Sequence, residues 1–176
     1  SYLVAKLDGL HAAFSDRDPL FDPPISTFEP TKKEANVPNI NTIPGEDVFY
    51  MDSRILPRYP VEEIEAKIRE FAAEIEKAFG VRITIEDMQR APAAPPTRPD
   101  APVVRALERA VAEVYGVKGK PMGIGGGTVA ALFRRAGFEA ACWSKLDETA
   151  HQPNEYCIID NMVNNAKVFA HILLQD

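Results

Sequence analysis

The residues best suited to chemistry fall into three separate stretches of the chain. The first runs from Asn41 in "NTIPG" to Arg54, and it places Asp52 and Arg54 on the same face of a predicted strand, because strand side chains alternate. This pair is either a surface ion pair or a guanidinium fork for a substrate carboxylate. On composition alone, Asn41 is a turn former.

The second stretch is the glycine run Gly125–Gly127, followed by Thr128 where a helix is predicted to begin. Glycines let the backbone approach a neighbour closely, and the N–H groups of a helix start can face an anion. The spacing fits neither the dinucleotide fingerprint nor the P-loop. The run is therefore either a tight packing turn or a cradle for an anion or carbonyl, with the Thr128 hydroxyl as a further donor.

The third stretch is "DETAHQPNEY", in which His151 lies in a polar loop. Neutral imidazole is a common zinc ligand, and α/β folds place their sites in loops that follow parallel strands. A single histidine is not a metal site, because such sites need three or more protein ligands. His151 is either an incidental surface residue or one ligand of a site whose other ligands lie elsewhere.

The elements that position the first stretch follow an α-β-β-α-β order, which favours an antiparallel sheet with helices on one face. They are a helix over residues 2–14, strands near Thr27–Lys33 and at "EDVFYMDSRIL" with Phe49, Met51 and Ile55 inward, a long helix from Pro60 to Gly80, and a strand at "VRITIED".

A proline-rich stretch, "APAAPPTRPDAP", separates this unit from a second one, because it favours a stiff extended connection. The second unit alternates helices with two strands, which predicts an incomplete parallel α/β arrangement. Its elements are a helix capped by Asp100 and ended by Gly116, a short strand before the glycine run, a helix at "VAALFRRAG", an apolar strand at "FEAACWS", and a last helix capped by Asp160 with Met162, Val163, Ala166, Phe169, Ile172 and Leu173 inward.

The overall composition excludes several classes of partner. Net charge is −6 and the pI about 5.2, which disfavours nucleic acid and anionic membranes. We expect no membrane span, because no apolar run approaches roughly 20 residues, and no secretory signal, because the start lacks a basic n-region. Cys142 and Cys157 are expected to be reduced thiols in a cytoplasmic protein, the alternative being one disulfide between them.

In this order, "NTIPGEDVFYMDSRILP", "GIGGGT" and "AHQPNEY" resemble the zinc-dependent exopeptidase and deacylase family, which includes succinyl-diaminopimelate desuccinylase, acetylornithine deacetylase and glutamate carboxypeptidases. The resemblance covers essentially the whole chain. It implies a mixed α+β and α/β fold with a ferredoxin-like lid, a two-layer α-β sandwich, in residues 1–89. A proline-rich hinge in 90–102 and the C-terminal part of an α/β catalytic domain in 103–176 would follow, and the first lid strand would be missing.

The resemblance also implies roles for particular residues. It matches His151 to a ligand of one of two zinc ions (with Co or Mn as possible substitutes), Asn41 and Arg54 to residues that grip the substrate carboxylate, Gly127 and Thr128 to substrate contacts beside the metals, and Asn154 and Glu155 to groups that orient the His151 loop. The chain departs from the family at Val129, where many relatives have Asp, and at Asp147, where some have Asn.

The family's other metal ligands and its general-base glutamate precede the lid, so we expect no catalytic residue in this chain. The resemblance implies a fragment, inactive alone, of a di-zinc amidohydrolase that cleaves an N-acyl or peptide amide bond next to a free carboxylate. Its substrate would be an N-acyl amino acid or short peptide, and it would form a homodimer through the lid. The alternative is a non-catalytic dimerisation or ligand-binding module.

Overall fold

The structure, a computed structural model, describes residues 2–147, 149 and 152–175. These residues form a mixed α+β fold, which confirms the predicted class. Its elements are α1 (Tyr2–Leu7), α2 (Gly9–Ala13), β1 (Thr27–Lys33), β2 (Phe49–Arg54), α3 (Val61–Phe79), α4 (Pro102–Tyr115), α5 (Ala130–Arg135) and α6 (Ile159–Leu173). Within this described part, no helix has both the length and the apolar character needed to cross a membrane.

The residues divide into two compact units. The first contains residues 1–93 together with the short stretch Gly123–Gly126, and the second contains residues 94–122 and 127–176. The break at residue 93 falls inside the proline-rich stretch, where neither helix nor strand forms over residues 91–101.

The first unit packs three helices against the β1–β2 pair. Helices α1 and α2 occupy the stretch predicted as one helix, with a turn at Asp8 between them. The buried residues of this core are Leu7, Leu10, Phe14, Phe28 and Ile64, with Phe49, Met51 and Ile55 packed against them. The inward face predicted for the second strand is therefore confirmed.

The two strands pair antiparallel, and Thr27 lies opposite Arg54 at one end of the sheet. Beside this pair, the buried hydroxyl of Ser26 accepts a hydrogen bond from the Leu56 N–H at 3.0 Å. A buried hydrogen-bonded donor and acceptor tie the start of β1 to the chain leaving β2. This end of the sheet, where Arg54 stands, is held by both backbone and side-chain bonds.

Residues 81–87 were predicted to form a third strand, and that prediction is wrong: they join no ladder among the described residues. Ile83 and Ile85 are half-buried between exposed neighbours, as the alternation predicts. A strand, however, also needs a neighbouring backbone for its hydrogen bonds. Here a side chain takes that place, because the Ile83 N–H donates to the Glu76 carboxylate at 2.7 Å.

The second unit is built on contact between α4 and α6. Ala110, Val111 and Val168 form its buried cluster, and Leu107, Val114, Tyr115, Trp143 and Ile172 pack around them. Helix α4 ends at Gly116, whose φ of 65° is the left-handed conformation that glycine adopts without strain.

Two predicted helix caps are wrong by one or two residues. The N-cap of α4 is Ala101 rather than Asp100, and Pro102 occupies the first helical turn, where its missing N–H costs nothing. The N-cap of α6 is Ile158, so Asp160 lies inside the first turn. There its carboxylate still faces the positive end of the helix dipole.

The face on which α6 is buried also differs from the prediction. Of the side chains predicted to face inward, Met162, Val163, Phe169 and Leu173 are 49–84% exposed. Helix α4 instead covers the side of α6 that carries the buried Val168, while Asn161, also buried, bonds Asp147. Periodicity identifies an amphipathic helix but does not say which neighbour covers which face.

The strands predicted for the second unit do not form among the described residues, whose sheet contains β1 and β2 alone. Residues 138–144 are without strand pairing, and the stretch before the glycine run makes a single bridge between Gly123 and Phe21. Parallel strands need partner strands far away in sequence, and the described chain does not supply them. Cys142 and Cys157 are exposed free thiols.

Candidate functional site

Arg54 stands at the end of β2, and its guanidinium makes two hydrogen bonds within the first unit. Its Nε–H donates to Asp52 Oδ2 at 2.6 Å, and its Nη1–H donates to the Gly125 carbonyl at 2.9 Å. The predicted same-face pairing with Asp52 is therefore present. The Arg54 side chain is 51% exposed. The two hydrogen bonds orient the planar guanidinium, and its remaining N–H groups can meet a ligand from solvent.

The glycine loop Gly123–Gly126 packs closely against this unit. A Cβ at Gly123 would stand 2.5 Å from the ring of Phe21, and one at Gly125 would stand 3.4 Å from the Arg54 side chain. These contacts favour the tight packing turn at these two positions. No sequence signal predicted the Arg54–Gly125 bond, which joins residues 71 positions apart.

Gly127 and Thr128 follow directly and belong to the second unit. Among the described residues, chain neighbours aside, no atom lies within 4 Å of a Cβ built on Gly127, so packing against them does not require glycine. Thr128 is half-buried, and its carbonyl accepts the N–H of Ala131 in the turn that leads into α5. Open space beside a backbone turn suits the cradle alternative at Gly127.

Asn41 lies in an exposed turn between the two strands. Its neighbours Ile40 and Ile43 are almost fully exposed, at 108% and 93%. The turn-former prediction fits this placement. The described contacts do not bring Asn41 to the Arg54 side chain, so a shared role in binding stays a prediction.

His151 lies outside the described residues, but the loop on either side of it is anchored in the second unit. Asp147 accepts hydrogen bonds from the Asn161 amide at 3.3 and 3.4 Å, and the Thr149 hydroxyl donates to the Tyr156 carbonyl at 3.1 Å. Asp147 was singled out from the sequence only as a departure from the family pattern, and neither its bond to Asn161 nor the Thr149 bond was predicted. Polar residues inside a polar loop are too common to be informative.

Asn154 and Glu155 form the turn after the loop. Asn154 has a φ of 61°, the left-handed conformation that asparagine tolerates better than most residues. The Glu155 N–H donates to the Gln152 carbonyl at 3.2 Å. Both side chains are exposed, in keeping with a tight turn that sets the direction of the chain.

A metal centre cannot be assembled from the described residues alone. No three His, Cys, Asp or Glu side chains in that part of the chain come together as a ligand group. His11 packs edge-on against Phe28, with ring centroids 5.4 Å apart, and His171 lies exposed on α6. A zinc site with three or more protein ligands would need residues beyond those described.

Comparison with known proteins assigns the chain to a family. A sequence profile described as Peptidase family M20/M25/M40 matches residues 11–175. An uncharacterized metallohydrolase of Methanococcus maripaludis is 40% identical over 179 residues, covering 94% of this chain and 43% of the relative. A second, from Methanocaldococcus jannaschii, is 37% identical over 175 residues, covering 94% and 42%.

An acetylornithine deacetylase of Arabidopsis thaliana is 28% identical over 172 residues, covering 85% of this chain and 38% of the relative. Two of these three relatives are thus named metallohydrolases and the third a deacetylase. The chain belongs to peptidase family M20/M25/M40, as the resemblance of its motifs implied. It spans less than half the length of the curated relatives that it matches.

Proposed function

We propose that this chain supplies the carboxylate-binding arginine and one metal ligand of an amidohydrolase that cleaves an N-acyl or peptide amide bond next to a free carboxylate. The observation that carries the proposal is Arg54: a half-exposed guanidinium oriented by Asp52 and by the Gly125 carbonyl. Its remaining N–H groups can bind a carboxylate in two-point fashion. The substrate class is an N-acyl amino acid or a short peptide.

The other residues take the roles that the family resemblance implies. His151 is proposed as a ligand of one of two divalent metals, zinc in the first instance with cobalt or manganese as substitutes. Gly127 and Thr128 are proposed to contact the substrate through backbone and hydroxyl, and Asn41 to contact its carboxylate end. Asn154 and Glu155 would orient the His151 loop.

Hydrolysis itself is proposed for a longer polypeptide than these 176 residues. Metal-assisted hydrolysis requires several ligands, an open coordination position and a base, and the described residues provide no ligand group. The isolated chain is therefore expected to be inactive. Zinc-dependent amide hydrolysis by the purified chain, free of any other polypeptide, would contradict the proposal that hydrolysis requires a longer polypeptide.

The arginine can be tested in a chimera in which this chain replaces the matching stretch of the Methanococcus maripaludis metallohydrolase. Arg54→Lys keeps the charge but removes the planar fork, so KM for an N-acyl amino acid should rise roughly 10- to 100-fold. KM for the same compound with its carboxyl group amidated should stay unchanged. Arg58→Lys is the matched control, because Arg58 pairs with Asp16 elsewhere on the unit, at 3.0 Å. Equal effects of Arg54→Lys on both substrates would contradict carboxylate recognition.

The metal ligand is tested separately by metal content. His151→Ala in the chimera should lower bound zinc, measured by atomic absorption after gel filtration, and lower the rate by several orders of magnitude. His171→Ala is the control, since His171 lies exposed on α6. Two metals retained per chain in His151→Ala would show that the assignment is wrong.

One observation favours a second function, a dimerisation module. In the described residues β2 pairs only with β1, so one of its edges is without a strand partner. Exposed edges pair readily with another chain. Light scattering of the purified chain tests this function directly: a stable dimer supports it, and a monomer at tens of micromolar contradicts it.

A further inference from the structure

The loop between β1 and β2 carries Asn41 at a tip that does not pack against the first unit. Residues 37–46, which we call the Asn41 loop, form neither helix nor strand. The flanking side chains of Ile40 and Ile43 are almost fully exposed. Buried apolar contacts therefore do not fix the position of this loop, and its conformation depends on the bonds at its base.

The Asp47 carboxylate closes the base of the Asn41 loop. Its Oδ2 accepts from Lys33 Nζ at 3.1 Å, and its Oδ1 accepts from Asn36 Nδ2 at 3.0 Å. Asp47 follows the loop whereas Lys33 and Asn36 precede it, so one carboxylate joins the two arms at two points. Within the described part of the chain, no hydrogen bond connects residues 37–39 to residues 43–46.

The Asn36 carboxamide transmits this constraint into the loop. Its Nδ2 donates to Asp47, and its Oδ1 accepts from the Val37 N–H at 2.8 Å. A carboxamide that is bonded at both ends has one orientation, so Asp47 directs the backbone at Val37. Pro38 and Pro44 then limit the remaining freedom of the loop, because their rings fix φ.

The charge of Asp47 strengthens both bonds. The hydrogen bonds from Lys33 and Asn36 hold the pKa of Asp47 below its ordinary value, so the carboxylate is ionised at neutral pH. Charge-assisted hydrogen bonds are stronger than neutral ones. An exposed ion pair contributes little to the stability of a whole fold. Loss of both bonds is therefore expected to change the motion of the loop and to leave the folding of the chain intact.

We propose that Asp47 is a positioning residue, which holds the Asn41 loop in one conformation and so directs the Asn41 carboxamide toward the substrate carboxylate. This inference rests on the proposed contact between Asn41 and the carboxylate end of the substrate. In this role Asp47 contacts neither the substrate nor a metal, and it acts through the loop alone. Its effect therefore falls on substrate binding, because a misplaced contact group binds less well.

The effect on the loop is tested in the purified 176-residue chain, without substrate. Asp47→Ala removes both bonds, so hydrogen exchange at the Val37 amide should be at least threefold faster, and nitrogen-15 relaxation should show larger motion of the Asn41 amide. Asp47→Asn keeps an oxygen acceptor and loses the charge, so it should give a smaller change in the same direction. No change in either variant overturns the inference.

Glu46→Ala is the matched control for these measurements. It removes the neighbouring carboxylate, whose side chain makes no ion pair or hydrogen bond among the described residues. Exchange at Val37 and relaxation at Asn41 should therefore match those of the parent chain. Equal changes in Glu46→Ala and Asp47→Ala overturn the inference, since net charge and not the two bonds would then govern the loop.

The effect on binding is tested in the chimera with the Methanococcus maripaludis metallohydrolase. Asp47→Ala should raise KM for an N-acyl amino acid at least threefold and leave kcat within about twofold, because Asn41 is proposed to bind the carboxylate and not the reacting amide. In a chimera that already carries Asn41→Ala, Asp47→Ala should not change KM further. An equal rise of KM in both backgrounds overturns the inference, since Asp47 would then act through another group.

Failure of the proposed substrate contact gives a different result. If Asn41→Ala leaves KM unchanged, Asn41 does not bind the carboxylate, and the positioning role is overturned with it. If Asn41→Ala raises KM while Asp47→Ala changes neither KM nor the exchange at Val37, the contact stands and the positioning role alone is overturned. KM for the carboxyl-amidated compound should stay the same in both variants, which supports the contact and the positioning role together.

Discussion

The two units close their cores in different ways. In the first, helices cover a sheet that lies in the same stretch of sequence, and the fully buried side chains are as large as Leu10 and Ile64. In the second, two helices bury a cluster containing Ala110 and Val111 while large apolar side chains stay exposed. Two packed helices therefore bury a smaller cluster than helices packed on a sheet, because each helix covers only one side of the other.

The extended segments of the two units lack a strand partner and are held by side chains instead. In the first unit, the Ile83 N–H donates to Glu76 of α3, and just beyond the segment Arg90 donates to Glu65 and Glu62 of the same helix. In the second unit, the Thr97 hydroxyl donates to the Ala140 carbonyl at 2.6 Å and accepts from the Ala140 N–H at 3.1 Å. Side-chain bonds thus replace part of a missing ladder in both units.

The largest effect is expected from the two cores themselves. Leu10→Ala removes a side chain with 0% exposure and should lower the free energy of unfolding of the first unit by about 3 kcal/mol. Val168→Ala removes two methyl groups from the second cluster and should cost about 2 kcal/mol. Urea unfolding measures both, and the single tryptophan, Trp143, reports the second unit by fluorescence.

The contrast between the cores would be contradicted if Leu10→Ala lowered the urea midpoint measured by Trp143 fluorescence as much as the midpoint measured by circular dichroism. Leu174→Ala is the control for both, because Leu174 is 83% exposed and should change stability by less than about 0.5 kcal/mol.

An intermediate effect is expected at the glycine loop of the first unit. A Cβ on Gly123 would meet the Phe21 ring at 2.5 Å, so Gly123→Ala must displace the ring or the loop, at a cost of about 1–3 kcal/mol. Gly126→Ala is the matched control, because its nearest neighbour, Ile124, stands 4.0 Å away. Thermal unfolding compares the two variants, and equal melting temperatures would show that the loop is not packed against Phe21.

The smallest effect is expected at Arg90, whose guanidinium donates to Glu65 and Glu62 at 2.6 Å. The hydrogen bond from Arg90 holds the pKa of Glu62 below its ordinary value. A carboxylate with a lowered pKa in the folded state stabilises the fold above its unfolded pKa, and this contribution disappears as the pH falls through the folded pKa. Arg90→Gln should therefore speed hydrogen exchange near residues 81–90 at pH 7, with the difference narrowing in acid below pH 4.5.

Arg82→Gln is the control for that measurement, because Arg82 lies in the same segment and makes no ion pair within the described part of the chain. The Arg90→Gln variant and the parent chain are compared by their hydrogen-exchange rates. If the ratio of these rates stays constant from neutral to acidic pH, pairing with the carboxylates is not the cause of the difference.

Much of the fold follows from local sequence signals. The helix between Pro60 and Gly80 and the strand Thr27–Lys33 form where predicted, because capping, periodicity and alternation act within a few residues. The predicted strands at 81–87 and 138–144 do not form, because pairing depends on backbone that is far away in sequence or outside the described chain.

The same distinction between local and long-range contacts applies to the candidate site. The Asp52–Arg54 pair was predictable, since two residues on one strand share a face at spacing two. The bond from Arg54 to the Gly125 carbonyl was not, because it depends on tertiary packing. The Asp147–Asn161 anchor was hidden for a related reason: the sequence predicted the wrong buried face for α6.

The Asn165 side chain affects how α6 is positioned along its axis relative to the residues it contacts. The Asn165 amide accepts from the Tyr115 hydroxyl at 2.9 Å and from the Lys145 N–H at 3.2 Å, and donates to the Ser144 hydroxyl. A contact made of methyl groups alone would tolerate sliding by a helical turn, whereas these directional bonds fit one position. A one-turn slip that brought Phe169 to the place of Asn165 would leave all three partners unbonded, so this carboxamide, together with the Asn161–Asp147 bonds, fixes the register of α6.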